Sequence, residues 1–403
     1  YMKKFKDVFG KYPASVGSWF IDAHTLKYLA DKYHIVASCN CRDQVGTDGY
    51  TMWGGYWQGA YYPSKNNAYI PAQTKNAQIN VPVFRMLGSD PLYQYECGVG
   101  GAVQGVSTLE PVYEAGGGSD SWVDWYLRVV TQDPAMGYTY FQAGQENSFT
   151  WDRIRPGFEM QMPKIAALSQ IGILKVETLE ESGKNFSKRY KQTPPTATSA
   201  MSDYTPRNSK TLWFNSRYYR TNLFWERGAF RFRDIQVFNE DNKSPYLTTP
   251  GTSTECRYFA LPLVDGCLWS KTEYMAGLRI LERDGKGEYN EINCIGQNIN
   301  PSGNTTIVTI NATGGSQYVI SLKEKTITVT AAGKAYCLEL TTAQGAATPF
   351  TAIAPGRISA NRDGFAYSAT LSGGTFTDLR TTPGKICRIT PAGKSITLHL
   401  AQK

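Results

Sequence analysis

The chain has 403 residues, which exceeds the size at which a single hydrophobic core stops growing, so two domains are expected. Hydrophobic residues make up 41% and charged residues 19%, as in an ordinary folded protein, and no apolar run reaches the ~18 residues that would span a bilayer. The net charge is +8, but the basic residues are scattered instead of forming a stripe with stacking aromatic residues, which argues against a nucleic-acid partner.

The first 195 residues alternate between strand-like and helix-like patterns. Five strands are predicted, at residues 15–21, 34–38, 81–86, 138–142 and 173–177. Helices are predicted at residues 23–32, 121–130 and 156–170, and after a capping box formed by Thr178 and Glu181. This order implies a parallel sheet with right-handed crossovers. Because a closed parallel barrel takes about seven or eight strands, either the sheet is open or its first strands lie upstream of Tyr1, and we expect the second.

A second region begins near residue 200, where proline, serine and threonine cluster and the helical period stops. Beyond it the chain consists of short alternating runs separated by glycine, asparagine and proline, as at residues 305–310, 318–322, 326–330 and 395–400. Such runs are typical of an antiparallel sandwich. The predicted fold class is therefore α/β plus all-β, with a partial (β/α) barrel over residues 1–200 and a β-sandwich domain over residues 201–403.

Metal and disulfide chemistry find little support in the sequence. Eight cysteines are too few for a disulfide scaffold in a chain of this length, and no Cys-x-x-Cys pair occurs. The three histidines, His24, His34 and His399, are dispersed. The sequence therefore predicts no metal site within this chain and no cofactor.

The predicted strands of the first region are followed by acidic residues. Active sites of α/β folds form where the carboxyl ends of parallel strands meet, so these side chains are expected at one rim. The rule selects Asp22, Asp43, Asp48, Asp90, Glu146 and Glu177, with Arg85 beside Asp90.

Five of these carboxylates have a simpler explanation. Asp22 is also suited to cap a helix, and Asp90 is suited to a turn. Asp43 and Asp48 stand near glycines that would make a turn of their own, and Glu177 directly precedes a helix cap. Glu146 is harder to explain in this way, because three consecutive polar side chains that leave a strand need partners.

The segment at residues 50–62 carries six aromatic residues interleaved with glycines, which let the backbone approach a ligand closely. An exposed loop with this composition would need a partner. It either stacks on sugar or packs under the second domain, and for the first alternative Trp53, Tyr56 and Trp57 are the expected contacts. Trp151 follows Glu146 and belongs to the same predicted rim, together with Arg85 and Asp90, and these three residues are also expected to bind substrate.

Several segments carry a resemblance to a known family. In DVFGKYPASVGSWFIDAHTLKYLADKYHIVASCNCRDQ a helix ends at Gly-x-x-Pro, a strand leads to a rim residue, and a helix leads into the next strand and an Asp. This order of helices and strands resembles the central part of the sequences of the glycoside hydrolase/deacetylase superfamily. The runs GTDGYTMWGGYW, FRMLGSDP, GQENSFTW and VETLEESG are similar to those of a bacterial protein family assigned to it. The resemblance covers roughly residues 1–200 and implies a polysaccharide-deacetylase-like barrel, with the remainder similar to an accompanying β domain.

Three departures separate this sequence from the polysaccharide deacetylases. Their metal-binding motifs, a tandem-aspartate strand and a His-x-x-x-His strand, do not occur here. The run Val16-Gly17-Ser18-Trp19 stands where the arginine and proline of their third motif would be, and Glu177 stands where their last strand delivers a histidine. The resemblance therefore favours glycosidase chemistry with a pair of carboxylates.

We expect a carbohydrate-active protein of the glycoside hydrolase type that acts on a polysaccharide or glycan. Glu146 and Glu177 would be the carboxylate pair, with Asp22 and Asp43 lining the floor. A non-catalytic glycan-binding protein stays open as an alternative, as does a metal-dependent deacetylase whose ligands lie upstream of this chain. The sequence begins at Tyr1 without a recognisable signal peptide, so we expect the natural N-terminus upstream. A periplasmic or extracellular location follows from the carbohydrate interpretation alone, and no oligomeric state is predicted.

Overall fold

The computed structural model of the chain describes residues 1–145, 148–253 and 255–402. The α-helices of these residues all lie in the first half of the chain and are α1 Met2–Phe9, α2 Ala23–Tyr33, α3 Asp120–Gln132, α4 Trp151–Gln170 and α5 Leu179–Arg189. The strands up to the middle of the chain are β1 Ser15–Gly17, β2 Ala37–Asn40, β3 Thr51–Trp53, β4 Ala60–Tyr61, β5 Val83–Arg85, β6 Ala135–Met136, β7 Thr196–Ala200, β8 Lys210–Asn215, β9 Tyr219–Glu226, β10 Ala229–Val237, β11 Arg257–Phe259 and β12 Leu261–Asp265. The remaining strands are β13 Gly277–Arg283, β14 Tyr289–Glu291, β15 Cys294–Ser302, β16 Thr305–Ala312, β17 Gln317–Leu322, β18 Thr326–Ala332, β19 Tyr336–Thr341, β20 Phe350–Ala354, β21 Arg357–Arg362, β22 Phe365–Ser372, β23 Gly374–Asp378, β24 Lys385–Pro391 and β25 Ser395–His399.

A small sheet in the first region has the strand order β1-β2-β5-β4. β1, β2 and β5 are parallel, and they correspond to the first three predicted strands, although each is shorter than predicted. β4 pairs with β5 in the antiparallel direction. It thereby occupies the edge of β5 to which a fourth parallel strand would have to add. The described residues therefore form a three-stranded parallel segment and not the predicted β/α barrel.

Two predicted strands of the first region are not strands. Residues 138–142 are extended but pair with no neighbour; Tyr138 and Tyr140 instead lay their rings against Phe84 of β5, with centroids 6.1 and 4.9 Å apart. Their alternating pattern therefore reflects packing onto a sheet face, not membership of the sheet. Residues 173–177 form a short connection between α4 and α5, in which Ile173 and Val176 are exposed.

The predicted helices are present, and two of them begin at the predicted caps. Asp22 caps α2, where Oδ1 accepts a hydrogen bond from the Thr25 amide at 2.9 Å. The capping box of α5 is also formed: the Thr178 amide donates to Glu181 Oε2 at 2.7 Å, and the Glu181 amide donates to Thr178 Oγ1 at 3.3 Å. α4 begins at Trp151, earlier than predicted, so Pro156 lies inside the helix and not at its start.

Most of the β structure lies in two antiparallel sheets that pack face to face. An eleven-stranded sheet, referred to below as the long sheet, follows the order β23-β24-β19-β13-β10-β9-β8-β7-β6, with β12 beside β10 and β14 beside β13. An eight-stranded sheet follows the order β15-β16-β17-β18-β25-β22-β21-β20. Apolar side chains of both sheets, such as Phe232 and Leu338 from one and Val308 and Ile320 from the other, belong to a single core. The predicted β-sandwich is therefore present.

The long sheet also takes strands from the first region. β6 pairs with β7, and β7 pairs with β8 across the boundary predicted at residue 200. Strand β9 is buried on both faces of this sheet. Tyr219 and Leu223 face the sandwich core, and the alternate residues Arg220 and Asn222 on the other face are also fully buried. The polar face of β9 is thus covered by the first region and not by water.

Candidate functional site

Asp43 follows the carboxyl end of β2, but its carboxylate is buried among donors. Oδ1 accepts hydrogen bonds from Arg85 Nη2 and from the Tyr69 hydroxyl, both at 2.8 Å. Oδ2 accepts from Arg220 Nη1 at 2.5 Å and from the Gly54 amide at 2.9 Å. With both oxygens occupied and only 3% of the residue exposed, Asp43 offers no face to a substrate. The structure therefore places this predicted catalytic residue at the junction between the small sheet and the long sheet.

These ion pairs continue into the long sheet. The Arg220 guanidinium donates two hydrogen bonds to the Asp234 carboxylate, from Nε to Oδ1 at 2.9 Å and from Nη2 to Oδ2 at 3.1 Å. Asp43, Arg85, Arg220 and Asp234 are referred to below as the buried ion network, and none of them is more than 3% exposed. Arg85, which was predicted to bind substrate, is thus engaged inside the protein.

The aromatic segment at residues 50–62 packs under the long sheet. The indole of Trp57 stacks on Trp213 of β8, with ring centroids 3.7 Å apart and planes 5° from parallel. Trp53 donates from Nε1 to Asp265 Oδ2 at 2.8 Å, and the Tyr56 hydroxyl lies 2.8 Å from Thr196 Oγ1 in β7. All three rings are buried, so the geometry favours packing over the sugar-platform alternative for this segment.

Asp22 and Asp90 have the structural roles that the sequence offered as alternatives to catalysis or substrate binding, a helix cap for Asp22 and a turn for Asp90. Asp22 caps α2, as described above. Asp90 is fully buried; its Oδ1 accepts from the amides of Leu92 and Tyr93 at 2.7 and 3.0 Å, and its Oδ2 accepts from the Tyr204 hydroxyl at 2.7 Å. Burial raises the pKa of the Asp90 carboxyl above its usual value. Its contacts organise the turn that follows β5.

Only one member of the predicted catalytic pair lies within the described residues. Glu177 is half-buried and held by α5, with Oε2 accepting from Ser182 Oγ at 3.0 Å and Oε1 accepting from Asn185 Nδ2 at 2.6 Å. Glu146 lies outside the described residues, so the pairing of Glu146 with Glu177 stays a prediction. Trp151 opens α4 and is 59% exposed, which leaves its ring accessible.

A different group of polar side chains gathers where β2 and β5 end. Arg42 precedes Asp43, and Glu110 is carried by a loop fixed to the end of β5 by a hydrogen bond from the Leu109 amide to the Gly88 carbonyl at 2.9 Å. Gln145 Nε2 donates to Glu110 Oε1 at 3.1 Å, and Thr108 Oγ1 donates to Glu110 Oε2 at 2.8 Å. Arg42, Tyr50, Glu110 and Gln145 are referred to below as the rim site.

Cys41 shows that these residues share one environment. Burial raises the pKa of the Cys41 thiol; the positive charge of Arg42 opposes this rise, and the negative charge of Glu110 adds to it. Burial likewise raises the pKa of the Tyr50 hydroxyl, with Cys41 contributing and Arg42 opposing. Cys41 and Tyr50 are therefore neutral at pH 7, and Arg42 lies close enough to both to affect their titration.

Several polar atoms of the rim site are buried without a protein partner. Arg42 Nε, the Tyr50 hydroxyl and Gln145 Oε1 have no hydrogen-bond partner among the residues that the structure describes. Arg42 donates from Nη1 to the Asp43 carbonyl at 3.0 Å and is 5% exposed, yet no described residue forms an ion pair with it. Buried polar groups are normally satisfied, so these atoms are expected to find partners outside the described residues, of which a ligand or ordered water is one kind.

A cleft of about 420 Å³ adjoins the rim site at Tyr50. Its lining residues include Val45, Gly46, Tyr50, Ala102, Val103, Arg257, Phe259, Leu268 and Arg362. This volume lies within the range of small-molecule sites. A second cleft, of about 700 Å³, borders the long sheet, but there the Glu339 carboxylate is already paired with Lys385 and Arg388 at 2.8 and 2.6 Å. The rim site with its adjoining cleft is therefore the better candidate.

The described residues contain no group of three or more His, Cys, Asp and Glu side chains that could hold a metal ion. The eight cysteines are free thiols. Among the helices of the described part of the chain, none is both long enough and apolar enough to cross a membrane.

Comparison with known proteins gives a fold resemblance. No family model matches this chain, and no curated protein matches it. A crystal structure from Parabacteroides distasonis, of a candidate glycoside hydrolase/deacetylase, aligns with a TM-score of 0.51 at 16% identity. The two chains share a fold. The alignment covers 64% of each chain, so this chain spans less than two thirds of that protein. The resemblance predicted from the sequence is thus confirmed for the fold.

Two further solved structures are similar over smaller parts of the chain. One is a YidC insertase, with a TM-score of 0.27 and 6% identity over 49% of this chain and 40% of that one. The other is a family 81 glycoside hydrolase from Clostridium thermocellum, with a TM-score of 0.23 and 11% identity over 45% of this chain and 21% of that one. Both TM-scores are too low to support an argument about this chain.

Sequence reasoning missed Arg42 and Glu110. Arg42 stands directly before Asp43 in the motif CNCRDQ, in which the carboxylate is the more obvious catalytic group. Both residues lie beyond the end of β2, so no strand alternation predicts which of the two side chains points into the junction. Glu110 follows no predicted strand, and only its proximity in space to the end of β5 places it at the rim.

Proposed function

We propose that this chain is a carbohydrate-active protein that binds a polysaccharide or glycan at the rim site. The observation that carries the proposal is a group of buried polar atoms of Arg42, Tyr50 and Gln145 that have no partner among the described residues and lie beside the Glu110 carboxylate. Such atoms suit a ligand rich in hydroxyl groups, because each can donate to or accept from one. Their position at the carboxyl ends of parallel strands, where α/β folds bind ligands, supports the same conclusion.

We further propose a glycoside hydrolase reaction in which Glu110 works with Glu146. Glu146 directly follows Gln145, whose side chain holds the Glu110 carboxylate. One carboxyl group would protonate the leaving oxygen while the other, ionised, would act as nucleophile or base. The shared fold with a candidate glycoside hydrolase/deacetylase supports this class of reaction. A location outside the cytoplasm belongs to the same proposal.

The experiment compares Glu110→Gln, Glu146→Gln and Glu177→Gln in release of reducing ends from a panel of polysaccharides. We expect the first two to lose roughly a hundredfold or more in kcat, since acid–base catalysis contributes about that much. Glu177→Gln is the matched control and should keep its activity, because its carboxylate is bound by α5. If Glu110→Gln keeps its activity and Glu177→Gln loses it, the catalytic carboxylate pair would be Glu146 and Glu177, and the proposed role of Glu110 would be wrong.

Non-catalytic glycan binding is the second candidate, favoured by the engagement of Asp43, Asp90 and Arg85 inside the protein. It predicts that wild type releases no reducing ends from any polysaccharide and yet binds one of them with an affinity that Glu110→Gln weakens. Release of acetate from an acetylated polysaccharide, without release of reducing ends, would instead support the deacetylase alternative.

A further inference from the structure

Arg42 differs from the other buried arginines in having no acidic partner among the residues that the structure describes. Five arginines are buried in the part of the chain that the structure describes, and the four that form ion pairs are Arg85, Arg220, Arg231 and Arg233. Arg42 instead donates one hydrogen bond to a backbone carbonyl, and its Nε has no partner. A guanidinium group stays charged even when buried, and a buried charge is costly unless it is paired. Because the described residues supply no matching negative charge, the Arg42 guanidinium is suited to bind an anionic ligand.

The described groups around Arg42 do not provide such a negative charge. Its titratable neighbours Cys41 and Tyr50 both have a pKa raised by burial, so they are neutral at pH 7 and cannot balance the charge. Cys97, which Arg42 also influences, has a thiol pKa raised by burial as well. The Glu110 carboxylate is engaged by Thr108 and Gln145 and makes no ion pair with Arg42.

The adjoining cleft is lined by positive charge, which would attract the same kind of anionic ligand as Arg42. Arg257 and Arg362 line it, and the Arg362 guanidinium lies over the Phe259 ring, 3.9 Å from its centroid. Glu255 is the acidic residue of the same lining. An approaching anion therefore meets more positive than negative charge before it reaches Tyr50 and the buried Arg42.

We propose that the rim site takes an acidic sugar, one whose ring carries a carboxylate or a sulfate group, and that Arg42 binds this group. The inference rests on the proposed glycan function and adds the substrate class to it. The planar fork of a guanidinium matches two oxygens of either anion. The Tyr50 hydroxyl and Gln145 Oε1 then serve the sugar hydroxyls, whereas a neutral glycan would leave Arg42 unpaired.

The test measures binding to the full chain by titration calorimetry with four ligands of equal length: oligogalacturonate, its methyl ester, a sulfated oligosaccharide and polyglutamate. We expect oligogalacturonate or the sulfated oligosaccharide to bind at least roughly tenfold more tightly than the methyl ester, because a charge-assisted contact is worth about that factor. The tighter of the two acidic ligands distinguishes carboxylate from sulfate. Polyglutamate should bind weakly, since it has the charge but no sugar hydroxyls.

Variants then assign the effect to Arg42. Arg42→Gln should abolish the preference for the acidic ligand, and Arg42→Lys should keep part of it, since the charge remains but the fork is lost. Arg279→Gln is the matched control, because Arg279 is a largely buried arginine of β13 that is paired with Glu291. It should leave the preference unchanged.

The outcomes separate the two proposals. If the acid and its methyl ester bind equally, the acidic-sugar inference is overturned while the glycan function stands. If none of the oligosaccharides binds, the glycan function itself is overturned. Equal binding of polyglutamate, or an unchanged preference in Arg42→Gln, would show a general anion effect of the surface. The comparison of acid with ester in wild type decides the matter even if Arg42→Gln does not fold.

Discussion

Replacing Asp43 by Asn would leave Arg85 and Arg220 facing one charge fewer in the buried ion network. Removing one partner of a buried ion pair typically costs about 3–5 kcal/mol, because the remaining charge stays desolvated. We expect Asp43→Asn to lower the free energy of unfolding by about that amount in urea titrations. Asp31→Asn, which breaks the exposed pair of Lys27 and Asp31, should change it by less than about 1 kcal/mol. Unchanged stability with lost activity would make Asp43 a catalytic residue after all.

The two tryptophans Trp57 and Trp151 form a second matched pair at this scale. Trp57→Ala removes a buried ring that stacks on Trp213 and should cost about 3–5 kcal/mol of unfolding free energy. Trp151→Ala removes an exposed ring and should leave the melting temperature nearly unchanged. If Trp151→Ala also weakens glycan binding, its predicted substrate contact is supported. A stable Trp57→Ala variant with weakened glycan binding would contradict the packing described here.

Two helices of the first region are preceded by a threonine, but only one of the two threonine side chains caps its helix. The Thr178 side chain closes the capping box of α5, whereas the Thr150 side chain makes no capping hydrogen bond at the start of α4. Thr178→Ala should therefore cost about 1 kcal/mol of unfolding free energy, and Thr150→Ala should cost close to nothing. Equal costs, measured in the same urea titrations, would show that helix propensity and not the cap sets the effect.

The capped helices were predictable because a cap and the amide it binds lie within four residues, as Asp22 and Thr25 do. The strand predicted at residues 138–142 failed for the opposite reason: its alternation is real, but whether a segment pairs depends on partners distant in sequence. The same limit applies to β9, where Arg220 and Asn222 alternate with apolar residues as they would on a half-exposed strand. Local pattern cannot reveal that the first region covers this face, and Arg42 and Glu110 escaped prediction for the same reason.

Pairing of β7 with β8 across residue 200 bears on how the molecule unfolds as a whole. If the two predicted domains were independent, tryptophan fluorescence and circular dichroism would report two transitions. We expect one coincident transition, because the first region supplies strands to the long sheet and carboxylates to its arginines. Chains cut at residue 200 should accordingly fail to refold when produced separately. Two well-separated transitions would favour the boundary at residue 200.

The buried ion network also restricts how this sequence can change over evolutionary time. Its four members come from positions 43, 85, 220 and 234, so no single genetic event alters them together. A lineage that lost one charge would pass through an ancestor with an unmatched charge in its interior, and selection would remove most such ancestors. Related chains should therefore either keep all four charges or have exchanged several of them for neutral side chains. A strong statistical association among these four alignment columns is the trace that such a history would leave.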